Sequence, residues 1–158
     1  MSWRGSTTVS DRIFACLPYL LPLIDGLDFG RFLFDQFPAL QLVFMPLLPL
    51  IQIYSGIPFA GFIIFLALYL GVVRNENISH FIRFNTMQAI LLDIILILCS
   101  LVVPILAKGL PVTFVLETLY NMIFLGILAA FIYSVAQSLM GRYAEIPTLS
   151  DAVHMQVR

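Results

Sequence analysis

The chain has 158 residues, 61% of them hydrophobic and 11% charged, with a formal net charge of −1. Water-soluble domains run about 45–50% apolar and about 25% charged, and a chain this short cannot enclose so much apolar surface in one core. Lipid is therefore the solvent for most of it, and the lack of any long basic run excludes a nucleic-acid surface.

The N-terminal stretch MSWRGSTTVSDR leads into IFACLPYLLPLI. It has the charge and apolar run of a signal peptide but no small-residue cleavage site after it, so we read it as a retained membrane segment. A helix needs about 20 residues to cross a bilayer, with a range of about 17–25. The first span is expected over residues 13–27, ending at DGLDFG, where Gly26 and Gly30 permit a sharp change of direction. Asp25, Asp28, Arg31 and Asp35 form a charge cluster at that corner. Asp28 with Arg31 and Arg31 with Asp35 have helical spacing and are expected to neutralise one another at the interface, at a membrane-boundary corner or a lip for a partner.

Residues 31–56 are apolar but interrupted by Pro38, Pro46 and Pro49. Each proline removes a backbone donor, which lipid cannot make good, so an interfacial or re-entrant helix is expected there rather than a further crossing. A second span is expected over 57–73, a third over 85–107 and a fourth over 112–138. The expected fold is all-α: a multi-pass integral membrane protein of four transmembrane helices, with the interfacial helix between the first two. Residues 1–158 form one membrane domain. With four spans, Arg4, Arg12, Arg74, Arg83, Arg142 and Arg158 share one side, against Arg31 and Lys108 on the other. By the positive-inside rule both termini are then cytoplasmic or stromal.

The third span opens with RFNTMQAILLDI, residues 83–94. Asp93 falls ten residues after Arg83, about 15 Å along a helix and close to mid-bilayer. A carboxylate there costs about 2.5–3.5 kcal/mol to insert, so it must face protein or water. Thr86, Asp93 and Ser100 share one face, flanked by Asn85 and Gln88. Three readings are open for Asp93: an interhelical hydrogen bond, the wall of a polar path, or a proton relay. In the fourth span Glu117 and Asn121 share a face and are the candidate partners. Gly126, Ala130, Ser134 and Ser138 recur every fourth residue as a small-residue ridge, suited to packing within the chain or to a seam with a second copy.

Cys16 and Cys99 lie in apolar segments and read as small hydrophobes; His80 and His154 lack neighbours at ligand spacing. No metal or cofactor is expected. Phosphate-binding glycine loops, GxSxG and HExxH are absent, so no enzyme is expected either. Hydrolysis within a membrane would need two apposed acids or a Ser/His pair.

The strings LPYLLPLIDGLDFGRFLF, PLLPLIQIYSGIPF, FLALYLGVVRN and ISHFIRFNTMQAILLDI, followed by the fourth apolar helix, resemble the Tic-twenty family. This is the twenty-kilodalton component of the chloroplast inner-envelope protein translocon, with its cyanobacterial relatives. The resemblance covers roughly residues 11–140. It implies four membrane helices with both termini stromal or cytoplasmic, and a share in the path by which preproteins cross, alongside other translocon subunits. One lysine against seven arginines, and no long transit peptide, point to a cyanobacterial member in plasma or thylakoid membrane. On this reading Asn85, Thr86, Gln88, Asp93 and Glu117 offer hydrogen bonds to a passing preprotein. The rivals are a small-solute or ion transporter subunit using Asp93 and Glu117, and a non-transporting assembly factor.

Overall fold

The computed structural model of the chain describes residues 7–109 and 113–157. Arg4, Arg158 and residue 112 of the expected fourth span lie outside the described residues. All regular elements among the described residues are helical. They are α1 (Val9–Gln36), α2 (Ala39–Val43), α3 (Met45–Gly56), α4 (Ala60–Val73), α5 (His80–Gly109), α6 (Thr113–Leu139) and α7 (Leu149–Gln156). The chain is an all-α multi-pass membrane protein. Three helices, α1, α5 and α6, are long and apolar enough to cross a membrane, and α3 with α4 makes a fourth if that bent pair is one span.

Thr8 starts α1 with a reciprocal cap: Asp11 N donates to Thr8 Oγ1 at 3.1 Å, and Thr8 N donates to Asp11 Oδ2 at 3.2 Å. Pro18 and Pro22 cannot donate, and a tight 3-10 turn at Leu17–Tyr19 absorbs the mismatch. The DGLDFG stretch does not end the helix at residue 27, as its glycines suggested. Gly26 and Gly30 are both right-handed helical, and the helix runs on to Gln36. Their function is close packing. A Cβ at Gly26 would stand 2.9 Å from Ile127 Cγ2, and one at Gly30 would stand 2.8 Å from Phe124 Cε1, both on α6. Phe34 and Phe44 meet the Phe124 ring edge-on at 5.4 and 6.2 Å.

The stretch 57–73, expected as a crossing, falls on α4 and the corner before it. Its helix, α4, is about 21 Å long at 1.5 Å per residue, short of the roughly 30 Å hydrocarbon core. It meets α3 at a 101° bend, with exposed Phe59 in the left-handed region at φ 59°. A bulky residue there is an outlier that a hairpin-like corner demands. Val73 lies beside Arg83, whose Nε donates to its carbonyl at 3.0 Å. Gly61 and Phe62, just past the α3–α4 corner, line the same groove as Asp93, so the corner lies near its depth.

The core centres on the first half of α5, where Arg83 through Ile90 are buried all round. One cluster joins Tyr19, Phe29, Leu92, Leu96, Phe124 and Ile127; a second joins Phe84, Met87, Ile90 and Val73 to Val153 and Val157 of the C-terminal segment. The second half of α5 and the outer face of α6 expose Leu98, Leu101, Ile105, Phe114, Met122 and Ile132, a surface fit for acyl chains rather than water. The starts of α1 and α5 and the end of α6 share one end of the bundle. Arg12 Nε would lie 2.9 Å from a Cβ at Gly141, and His80 Nδ1 is 2.9 Å from the Tyr143 hydroxyl. Arg12, Arg74, Arg83 and Arg142 therefore lie at that end.

Candidate functional site

The polar residues of RFNTMQAILLDI do not form one face. The structure sends them to three places.

Asn85 and Gln88, both fully buried, make an interior knot. The Tyr19 hydroxyl donates to Asn85 Oδ1 at 2.7 Å, Ser138 Oγ donates to the same oxygen at 3.1 Å, and Asn85 Nδ2 donates to Phe81 O at 2.8 Å. Gln88 Nε2 donates to the Tyr19 hydroxyl at 3.0 Å and to Ala144 O at 2.7 Å. These bonds tie α1, α5, α6 and the chain after α6 together, and they answer the need of buried polar groups for partners. Asn85 and Gln88 thus brace these elements against one another.

Thr86 faces the other way. It lines an apolar groove of about 620 Å³ with Leu17, Leu21, Ile53, Tyr54 and Ile64, between α1, α3 and α4. Its Oγ1 is buried without a hydrogen-bond partner in the described structure.

Asp93 turns to a second groove of about 830 Å³, between α1, α4, α5 and Tyr120 of α6. The residue is 1% exposed. The acid beside it on that groove is not Glu117 but Asp25, close enough to act on its carboxyl. The Tyr54 hydroxyl of α3 donates to Asp25 Oδ1 at 2.6 Å, while Asp93 Oδ1 has no hydrogen-bond partner. Two carboxyls in contact need positive charge between them, either a proton or a cation. Asp25 belongs to this interior pair because α1 continues through DGLDFG; it is not part of a boundary corner.

The remaining expected residues fall outside that pair. Ser100 lines the groove but is exposed, and its Oγ donates to Ile97 O of its own helix at 2.6 Å. Glu117 accepts from Gln36 Nε2 at 2.6 Å, closing α6 against the end of α1. Asn121 Oδ1 is buried without a hydrogen-bond partner. Asp28 and Arg31 line the groove and Asp35 is exposed. Among the described residues no ion pair joins Arg31 to Asp28 or Asp35. Its guanidinium instead lies 4.6 Å above the Tyr120 ring and 5.0 Å from that of Phe32. The small-residue ridge is split: Ser134 and Ser138 are buried within the chain, whereas a Cβ at Gly126 would meet nothing within 4 Å. Cys16 and Cys99 are free thiols.

The sequence reading missed Tyr19 and Tyr54, the two hydroxyls that organise the knot and the carboxyl pair, and both sit in apolar runs that hide them. It missed α7 as well, although Leu149, Ala152 and Val153 carry helical spacing.

Residues 9–153 match the family described as chloroplast import apparatus, Tic20-like. The chain is 55% identical to the Tic20 family protein of Synechocystis, covering all of this chain and 99% of that one. It is 38% identical to the Arabidopsis thaliana protein TIC 20-II, chloroplastic, over 96% of this chain and 74% of that one. It is 34% identical to the Tic20 family protein Ycf60 of Porphyra purpurea, over 98% and 79%. Matched along nearly its whole length, and carrying the helices this length and hydropathy require, the chain belongs to the Tic20 family.

Proposed function

We propose that the chain is a membrane component of a protein-translocation or membrane-insertion assembly, contributing a polar path for preproteins. The observation that carries this reading is the match of residues 9–153 to a family described as chloroplast import apparatus. The geometry contributes a mechanism. A groove with two carboxyls and a tyrosine hydroxyl at its wall offers polar contacts at the depth where lipid offers none. One chain with three or four spans cannot enclose a polypeptide-wide pore, so it works with other translocon subunits or with further copies of itself. Both termini face the cytoplasm or stroma, a reading supported by the cluster of arginines at their end of the bundle. The similarity to the Synechocystis protein favours a cyanobacterial plasma or thylakoid membrane over a chloroplast inner envelope. We read the role as non-enzymatic, in keeping with a family described as an import apparatus; Asp25 and Asp93 are nonetheless the kind of acid pair that hydrolysis within a membrane would need, and peptide cleavage is the measurement that decides it.

The test is site-specific crosslinking from Phe62, at the groove mouth, to a preprotein arrested in transit through native membranes, with co-purified partners identified. Adducts to the preprotein support the reading, and their absence while partners co-purify assigns an assembly factor. The apposed carboxyls favour one second reading, a solute or ion pathway. Solute flux in proteoliposomes that vanishes in Asp93→Asn would establish it.

A further inference from the structure

We infer that the Asp25–Asp93 groove binds one organic cation, an alkylammonium or guanidinium group, with its charge held between the two carboxyls. The inference deepens the translocation reading, and rests on it only for what carries the cation in the cell.

Four observations converge. Asp93 is 1% exposed, lines the groove and has an oxygen without a hydrogen-bond partner. The neighbouring Asp25 lines the same groove and accepts from the Tyr54 hydroxyl at Oδ1. The groove lining carries three carboxyls, Asp25, Asp28 and Asp93, against one guanidinium, Arg31. That guanidinium is drawn onto the Tyr120 ring, so it is not the counter-charge of the inner pair, and it shows that the wall accepts this chemistry.

The remaining question is which cation. Among the described residues no three His, Cys, Asp or Glu side chains converge as a metal ion would require. The groove is far larger than a bare ion, at about 830 Å³, and Phe62, Phe65, Tyr54 and Tyr120 wall it. Aromatic faces attract alkylammonium and guanidinium groups, most strongly where water is excluded. Two carboxylates and aromatic walls therefore suit a charged head on an apolar stem, the shape of a lysine or arginine side chain or of a free alkylamine.

The test uses the full chain in nanodiscs of neutral phospholipid, with empty nanodiscs as background. Two matched probe pairs are titrated. One is butylammonium against 1-butanol. The other is a polyleucine transmembrane peptide of about 20 residues bearing one central lysine against the same peptide bearing methionine. The native chain is expected to prefer a cationic probe over its uncharged counterpart by about tenfold or more, and Asp25→Asn and Asp93→Asn are each expected to abolish the preference. A preference for the lysine peptide alone makes the carrier a polypeptide; a preference for both probes admits a free amine as well. Equal binding of charged and uncharged probes by the native chain overturns the inference, and needs no variant to fold. A preference that survives in both Asn variants overturns it too. Preprotein crosslinking is read separately, so loss of cation binding leaves the translocation reading to stand or fall alone.

Discussion

The Tyr19 hydroxyl donates to Asn85 Oδ1 at 2.7 Å, joining α1 to α5 where both are sealed from solvent and lipid. The same oxygen accepts from Ser138, and the same hydroxyl accepts from Gln88. Removing the hydroxyl in Tyr19→Phe takes one bond each from Asn85 and Gln88, both on α5, and unties α1 from that helix. Interhelical hydrogen bonds in membranes average about 0.6 kcal/mol and reach about 1.7. Tyr19→Phe is therefore expected to lower stability by about 1–2 kcal/mol, and Asn85→Leu by more, because Asn85 also bonds Ser138 and Phe81 O. Reversible unfolding in bicelles measures both. A neutral Tyr19→Phe would mean that the knot carries no net stability.

The two glycines of α1 should tolerate nothing larger. Gly30→Ala drives a methyl into the Phe124 ring, with an expected loss of about 1–3 kcal/mol. Gly126→Ala, on the open side of α6, is expected to be neutral or slightly stabilising, since alanine favours helix and the methyl meets nothing. A double-mutant cycle of Gly30→Ala with Phe124→Leu should recover part of the loss.

The arginine-rich end fixes an expected labelling pattern. Single cysteines at Asn77 and Arg142 should react with a membrane-impermeant thiol reagent from the same side, and one at Lys108 from the other, on a background with Cys16 and Cys99 replaced. Opposite sides for Asn77 and Arg142 would refute the shared-end arrangement.

The docked C-terminal helix should be needed for the core beneath it. Val153 is fully buried against the cluster of Phe84, Met87 and Ile90, and the His154 ring lies 5.0 Å from that of Phe84. Val153→Ala is expected to weaken docking by about 2 kcal/mol. Limited proteolysis after Tyr143 would then quicken, while exposed Met155→Ala should leave the rate unchanged.

The carboxyl pair is expected to cut nothing. A reconstituted chain mixed with a transmembrane peptide should leave it intact over hours. Cleavage abolished by Asp93→Asn would make this an acid hydrolase and defeat the non-enzymatic reading.

Much of the architecture was legible because lipid imposes few solutions. Composition forced a membrane protein, and the long apolar runs marked α5 and α6. The motif RFNTMQAILLDI with its companions pointed to the family. The carboxyl pair was not legible, because DGLDFG reads as a helix stop in water-based rules, whereas glycine in a membrane helix often marks close packing. Had α1 been continued, Asp25 would have fallen 13 residues after Arg12, about 20 Å along the axis, near the depth of Asp93. Asn85 and Gln88 lie three apart and share a helix face, while Thr86, next to Asn85, points away from it. Only tertiary contacts reveal which of those directions is braced and which opens on a groove.

The 101° corner between α3 and α4 bears on what surrounds the chain. At the start of α4, Ala60 N donates to Ile57 O and Ile63 N to Phe59 O, which leaves the amides of Gly61 and Phe62 as the ones without a helical acceptor, beside an outward-facing Phe59 and on the same groove as Asp93. Hydrocarbon has nothing to offer them. Those two amides open on the groove rather than on acyl chains, so the elbow hands its unmet hydrogen bonds to whatever polar group enters there.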